Sequence, residues 1–90
     1  MVKRMPTISA FFGIVIRMYF REHAPPHFHV VYGGQYASIA IETLELLDGR
    51  LSRRALNLVL DWAEIHRAEL LENWSRARER KSLNDIQPLE

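Results

Sequence analysis

The chain has no cysteine, which removes disulfide cross-links, a thiol nucleophile and every thiolate zinc site. That absence suits a reducing compartment, and a cytoplasmic location is the expectation. Charge imbalance is missing too. Twelve basic against eleven acidic side chains leave a formal net charge of +1. No global attraction to a polyanion follows, so any nucleic-acid contact has to come from local clusters. Nor is there an apolar run long enough to cross a bilayer. Lys3 and Arg4 ahead of Ile8 to Ile16 imitate the opening of a secretory signal, yet the run ends in Arg17-Met18-Tyr19-Phe20 with no small-residue cleavage site. It reads as soluble strand, and no membrane partner is expected. Met5, followed by Pro6, is a second candidate start.

Glycine and proline are scarce, four of each, so their positions carry information. One pair of each sits in His23-Ala24-Pro25-Pro26-His27-Phe28-His29-Val30-Val31-Tyr32-Gly33-Gly34, which also holds three of the four histidines. Pro25-Pro26 forbids helix and holds the preceding residues extended, because each ring fixes φ and crowds its predecessor. His27 to Tyr32 alternates with aromatic and β-branched residues, as a half-buried strand does. Gly33-Gly34 can take the two positive φ angles of a type I′ hairpin turn. A two-residue loop there pairs Tyr32 with Gln35, Val30 with Ala37, His29 with Ser38 and Phe28 with Ile39. One face then collects Phe28, Val30, Ala37, Ile39 and Ile41. The other collects His27, His29, Ser38 and Glu42.

Upstream, Phe12 to Phe20 alternates as a first strand, with Ile14, Ile16, Met18 and Phe20 on one side and Val15, Arg17 and Tyr19 on the other. Downstream, the third strand is expected to run on through Thr43 to Leu47, with a turn at Asp48-Gly49. Ser52 is a candidate N-cap, although Ala55 cannot complete a capping box. From Arg53 to about Arg80 neither glycine nor proline occurs. At 100° per residue Leu56, Val59, Leu60, Ala63, Leu70, Trp74 and Ala77 share a side, and the phase survives His66. One long helix is the expectation. The fold class predicted is α+β: a three-stranded antiparallel meander packed on one long C-terminal α-helix, in a single domain of residues 1–90. Residues 1–5 are expected to be flexible, and 82–90 to form an irregular tail.

Four groups of residues offer chemistry. His27 and His29, two apart on a strand, put both imidazoles on one face with Cα atoms about 6.5–7 Å apart. Such a pair could supply the general acid and base of metal-free RNA cleavage, with Arg17 and Arg21 holding phosphate and Tyr19, Tyr32 or Tyr36 stacking a base. The same pair could begin a metal site, but that needs a third ligand. Glu22, His23 and Glu42 are the available donors and none has a geometry dictated by spacing, so no metal and no cofactor is assigned. Against both stands the plain reading of a solvated sheet face. His66 lies in the apolar arc of the helix and reads as a hydrogen-bonded core histidine. Arg76, Arg78, Arg80 and Lys81 form the densest positive cluster, a phosphate or RNA contact on one reading and a solvated helix end on the other.

The segments I-V-I-R-M-Y-F from Ile14, E-H-A-P-P-H-F-H-V from Glu22, Y-G-G, I-E-T-L-E-L-L-D-G from Ile41, R-A-L-N-L-V-L-D-W-A from Arg54 and H-R-A-E-L-L-E-N-W from His66 resemble the small bacterial proteins grouped as domain of unknown function 4160. The likeness runs from Met5 to Leu89, and P-P-H-F-H-V is its specific part. It implies a bacterial cytosolic protein with a small protein partner, since such families are often encoded beside another small protein and some are labelled toxin–antitoxin-like. No catalytic residue comes with it. Ser52 stands where relatives tend to show proline, and Met1 to Arg4 precede their usual M-P start.

Function is therefore expected to be that of an interaction module contacting a protein partner and RNA. The alternative is a metal-free ribonuclease built on His27 and His29. Lengths add an assembly expectation. A helix from Arg53 to Arg80 would run roughly 40 Å, whereas strands of this size span about 23–30 Å. Leu70, Leu71 and Trp74 would outrun the sheet, so a homodimer or small partner is expected to cover them, with Trp74 as its anchor.

Overall fold

A computed structural model describes residues 6–90; the expected flexible segment 1–5 lies outside the described residues. Among these, the chain forms β1 (Thr7–Phe11), β2 (Ile14–Arg17), β3 (His27–Tyr32), β4 (Gln35–Ala40), β5 (Leu46–Arg50), α1 (Arg53–Ile65) and α2 (Arg67–Arg78). The strands make one antiparallel sheet in the order β1-β2-β3-β4-β5. The α+β class and the antiparallel meander stand. The counts do not: there are five strands where three were expected, and two helices where one was.

Each miscount has a local cause. The expected first strand began at Phe12, but Phe12 and Gly13 form a two-residue turn at φ 51° and 81°, pairing Phe11 with Ile14. A phenylalanine in the left-handed region costs about 1 kcal/mol or more and carries no turn signature, so periodicity ran straight through it. The third strand was expected to continue to Leu47. It stops at Ala40, where Leu44 takes φ 62° and Ala40 N–H donates to Glu45 O at 2.9 Å. Leu46–Arg50 then folds back along β4. Asp48-Gly49, read as a turn, sits inside that strand. Gly49 has φ 83°, and a Cβ there would lie 2.1 Å from the Tyr36 carbonyl oxygen, so only glycine allows the approach.

The central hairpin forms in the expected register, Tyr32 with Gln35 through Phe28 with Ile39. Positive φ falls on Gly33 alone of its turn pair, the sign pattern of type II′ and not I′. β2 pairs with β3 so that Arg17 lies opposite His29. Ile16, Met18, Phe28, Val30, Ile39 and Ile41 are all fully buried on one face.

Ser52 caps α1, its Oγ accepting from Ala55 N at 3.2 Å. The helix stops at Ile65, and His66, at φ −109° and ψ 24°, joins it to α2. No proline or glycine marks this break, which is why the helical phase looked continuous. Beyond the break the apolar side chains of the second helix lie inside the molecule. Leu70 is 0% and Trp74 6% exposed within the single chain; Leu71 is half-buried. The stripe that was expected to need a partner is therefore core.

The C-terminal segment completes this burial. Ile86 is buried and its N–H donates to Ile8 O at 2.8 Å along the β1 edge. Trp62, packed on Phe11 and Phe28, donates its indole N–H to Gln87 O. The wholly buried Asn73 amide donates to Asn84 O at 2.9 Å and accepts from Asn84 N at 2.8 Å. Residues 82–90 hold no helix or strand yet are fastened at Asn84, Ile86 and Gln87. Among the described residues no helix is long and apolar enough to cross a membrane.

Candidate metal centre

Strand alternation sets His27 and His29 side by side on the face of β3 opposite Phe28, with ring centroids 5.1 Å apart. Between β2 and β3 the chain leaves the sheet at Met18 and returns through Pro25-Pro26, and the Ala24–Pro25 peptide is cis. This excursion carries Glu22 back over the two rings. Glu22 Oε1 lies 2.5 Å from His29 Nε2 and 3.2 Å from His27 Nε2. The three donor atoms all fall within 4.8 Å of one another.

Each ring is fixed from its other nitrogen. His27 Nδ1 donates to the Pro25 carbonyl at 2.8 Å. A carbonyl only accepts, so Nδ1 carries the hydrogen and Nε2 is the atom turned toward Glu22. That nitrogen can meet the carboxylate oxygen through a shared proton or through a cation bound by both. His29 Nδ1 bonds Tyr36 Oη at 2.9 Å. Its ring stacks on Tyr19 at 4.1 Å between centroids and is only 5% exposed. Trp74 of α2 leans on His27 at 5.2 Å, so the helix expected to offer this indole to a partner uses it to wall the site.

Tyr36 is the group whose ionisation the surroundings visibly move. Burial of the hydroxyl pushes the phenol up from its ordinary value of 10.0; a Ser38 hydrogen bond opposes this, and the charges of Asp48, Tyr19 and Glu22 add to it. The residue as a whole keeps 39% exposure, with its hydroxyl bonded to His29.

The remaining residues expected to bind phosphate separate into distinct places. Arg17 faces His29 across the β2–β3 ladder, and Tyr19 is the stacking partner just described. The Arg76 to Lys81 cluster does not act as one patch. Arg76 pairs loosely with Glu72 at 3.8 Å and donates from Nε to Ser82 O, fastening the C-terminal segment. Lys81 bonds Glu79 at 2.9 Å and lines, with Arg80, a cleft bounded by Pro6, Phe20 and Leu83. Arg78 and Arg21, 57 positions apart in sequence, line a common cleft with His23. His66 sits at the helix break, its Nδ1 2.5 Å from Glu69, half-buried against Trp62.

Sequence reasoning found both histidines and missed the residue that joins them. Glu22 was one of three acceptable donors, and only the path of the β2–β3 connection selects it over His23 and the exposed Glu42. The assignment of no metal rested on that missing third ligand.

The class of protein defined here is a small α+β domain whose sheet carries a His–His–Glu cluster on the face turned away from its core. The family model for Domain of unknown function (DUF4160) matches residues 13–75, and the chain belongs to that family. The matched span includes Glu22, His27, His29 and Tyr36 and stops short of Arg78. No curated protein and no solved structure matches the chain.

Proposed function

We propose that this domain binds a divalent transition-metal ion through Glu22, His27 and His29. The observation that carries the reading is convergence: one carboxylate oxygen and two imidazole nitrogens, from two segments, within 4.8 Å of one another. Two histidines and one carboxylate suit zinc or ferrous iron, leaving open positions for water or a substrate. The ring contacts on the far side are those that metal-bound histidines use. His27 Nδ1 donates to a backbone carbonyl, and His29 Nδ1 can donate to the Tyr36 oxygen once Nε2 binds the ion. Ligands around a tetrahedral zinc stand roughly 3.3 Å apart. Glu22 already meets His27 at 3.2 Å and has only to draw back from His29.

Metal-free ribonuclease chemistry is less well supported by the same geometry. A working acid–base pair needs two imidazoles that can reach a substrate. His29 is nearly sealed, with one nitrogen on Tyr36 and the other on Glu22. Zinc titration of the purified protein by calorimetry, with metal content measured after desalting, tests the proposal. Saturable binding of one ion, lost in Glu22→Gln and in His27→Ala, is the expected result. No saturable heat in the wild type, or unchanged binding in both variants, overturns it.

A further inference from the structure

The Glu22 carboxylate separates two environments. Behind it lie the histidines; in front is a cleft of about 370 Å³ lined by Arg21, Glu22, His23, Ala24 and Arg78. Arg21 lies in the β2–β3 connection, and Arg78 is the last residue of α2. Sequence alone placed them in separate groups, and the return of α2 toward the sheet brings them together.

Charge makes this cleft unusual. Among the described residues, the Arg21, Arg78 and His23 side chains take part in no hydrogen bond or ion pair. The nearest anion, Glu22, is already engaged by two imidazoles. Arg21 is moreover held in the left-handed region at φ 61°, a conformation that disfavours non-glycine residues. Two guanidinium groups against the single carboxylate of Glu22 leave this concave surface with an excess of positive charge, which suits a tetrahedral oxyanion. Arginine's planar fork matches phosphate oxygens with two parallel bonds.

We infer that the cleft of Arg21, His23 and Arg78 binds a phosphate group next to the metal position, which makes a phosphate-bearing molecule the substrate or ligand class of this domain. The inference rests on the metal reading in one respect. Glu22 is the shared wall, and a bare carboxylate repels phosphate, whereas a bound divalent ion reverses the sign of that wall. Metal and phosphate should therefore bind with mutual enhancement, each raising the affinity for the other by the same factor.

The test uses the full chain, apo and zinc-loaded with free metal removed, titrated with inorganic phosphate and, separately, with a short single-stranded RNA. Saturable phosphate binding is expected, tighter in the zinc-loaded protein, and weaker by about tenfold or more in Arg21→Gln and in Arg78→Gln. Both side chains are exposed, so the variants should keep wild-type circular dichroism and, without phosphate, wild-type zinc affinity. RNA binding through the same two arginines, with no uptake of inorganic phosphate, assigns the phosphate to a nucleic-acid backbone. Phosphate uptake alone assigns it to a small molecule. Wild-type protein that takes up zinc but neither probe overturns this inference and leaves the metal reading intact. Phosphate binding that is unchanged in both arginine variants overturns it as well. Phosphate binding that needs the arginines, in a protein with no zinc affinity, instead overturns the metal reading alone.

Discussion

The two faces of the β3–β4 hairpin are built from alternating residues of the same strands and are held by different forces. Phe28, Val30, Ala37 and Ile39 face the helices and are fully buried. What keeps them there is apolar area removed from water, which tolerates changes of shape but not loss of volume. His27, His29, Ser38 and Tyr36 form the other face, which α2 touches through Trp74 against His27. That face closes by directed contacts instead: Tyr19 stacked on His29, Tyr36 bonded to its Nδ1, and Glu22 across both rings. The core face supplies stability, and the histidine face spends part of its polar bonding on holding donor atoms in place. A carboxylate and two imidazoles within bonding distance of one another are a poor way to stabilise a sheet and a good way to receive a cation.

This division can be broken most forcefully from the core side. Phe28→Ala, which removes a ring packed against Trp62, should cost about 3–5 kcal/mol. Urea unfolding followed by tryptophan fluorescence measures it, and a loss under 1 kcal/mol would mean the core repacks freely. Next in size is Gly49→Ala. Its Cβ would meet the Tyr36 carbonyl at 2.1 Å in a backbone at φ 83°, so β5 has to move away. The expected cost is about 3 kcal/mol, from strain and overpacking together. Because β5 seats the strand that carries Tyr36, amide exchange should rise in Leu46–Arg50 and at Tyr36 before it rises in β2.

A smaller effect on stability, with a larger one on binding, is expected at the histidine face. Glu22→Gln keeps the shape and removes the charge, so stability should fall by only about 1 kcal/mol while zinc binding is lost. Equal losses in Glu22→Gln and Phe28→Ala would erase the distinction between the faces.

The smallest effect is a titration. The folded Tyr36 phenol ionises above its ordinary value of 10.0, whereas in the unfolded chain it ionises near that value. Above pH 10 the folded state therefore holds the extra proton. The stability from this group is complete below pH 10 and declines as pH rises toward the folded value. Phenolate absorbance should show a late component, and Tyr36→Phe should remove it.

How far the sequence could be read differs between these regions for a physical reason. The hairpin from His27 to Ala40 was legible to the residue pair, because alternation, the Gly33-Gly34 turn and the Pro25-Pro26 stop are all local signals. The Ser52 cap was legible on the same grounds. The strand breaks were not. Phe12 and Leu44 adopt positive φ without being glycine, so no turn residue marks either position. His66 interrupts the helix without proline or glycine, so nothing in the 100° phase reported it. That break removed the ground for Trp74 as a partner's anchor, since the indole packs inside the single chain.

By itself, then, the sequence determined the faces: which residues of β2, β3 and β4 point to the core, and that two histidines share the opposite side. Side-chain direction in a strand follows from period two and needs no knowledge of distant chain. Only the tertiary structure decided what joins those histidines. The choice of Glu22 over His23 and Glu42, the meeting of Arg21 with Arg78, and the turning of Trp74 inward each depend on the path of a connection or the angle between two helices. Those are set by how the whole chain packs, and no local spacing encodes them.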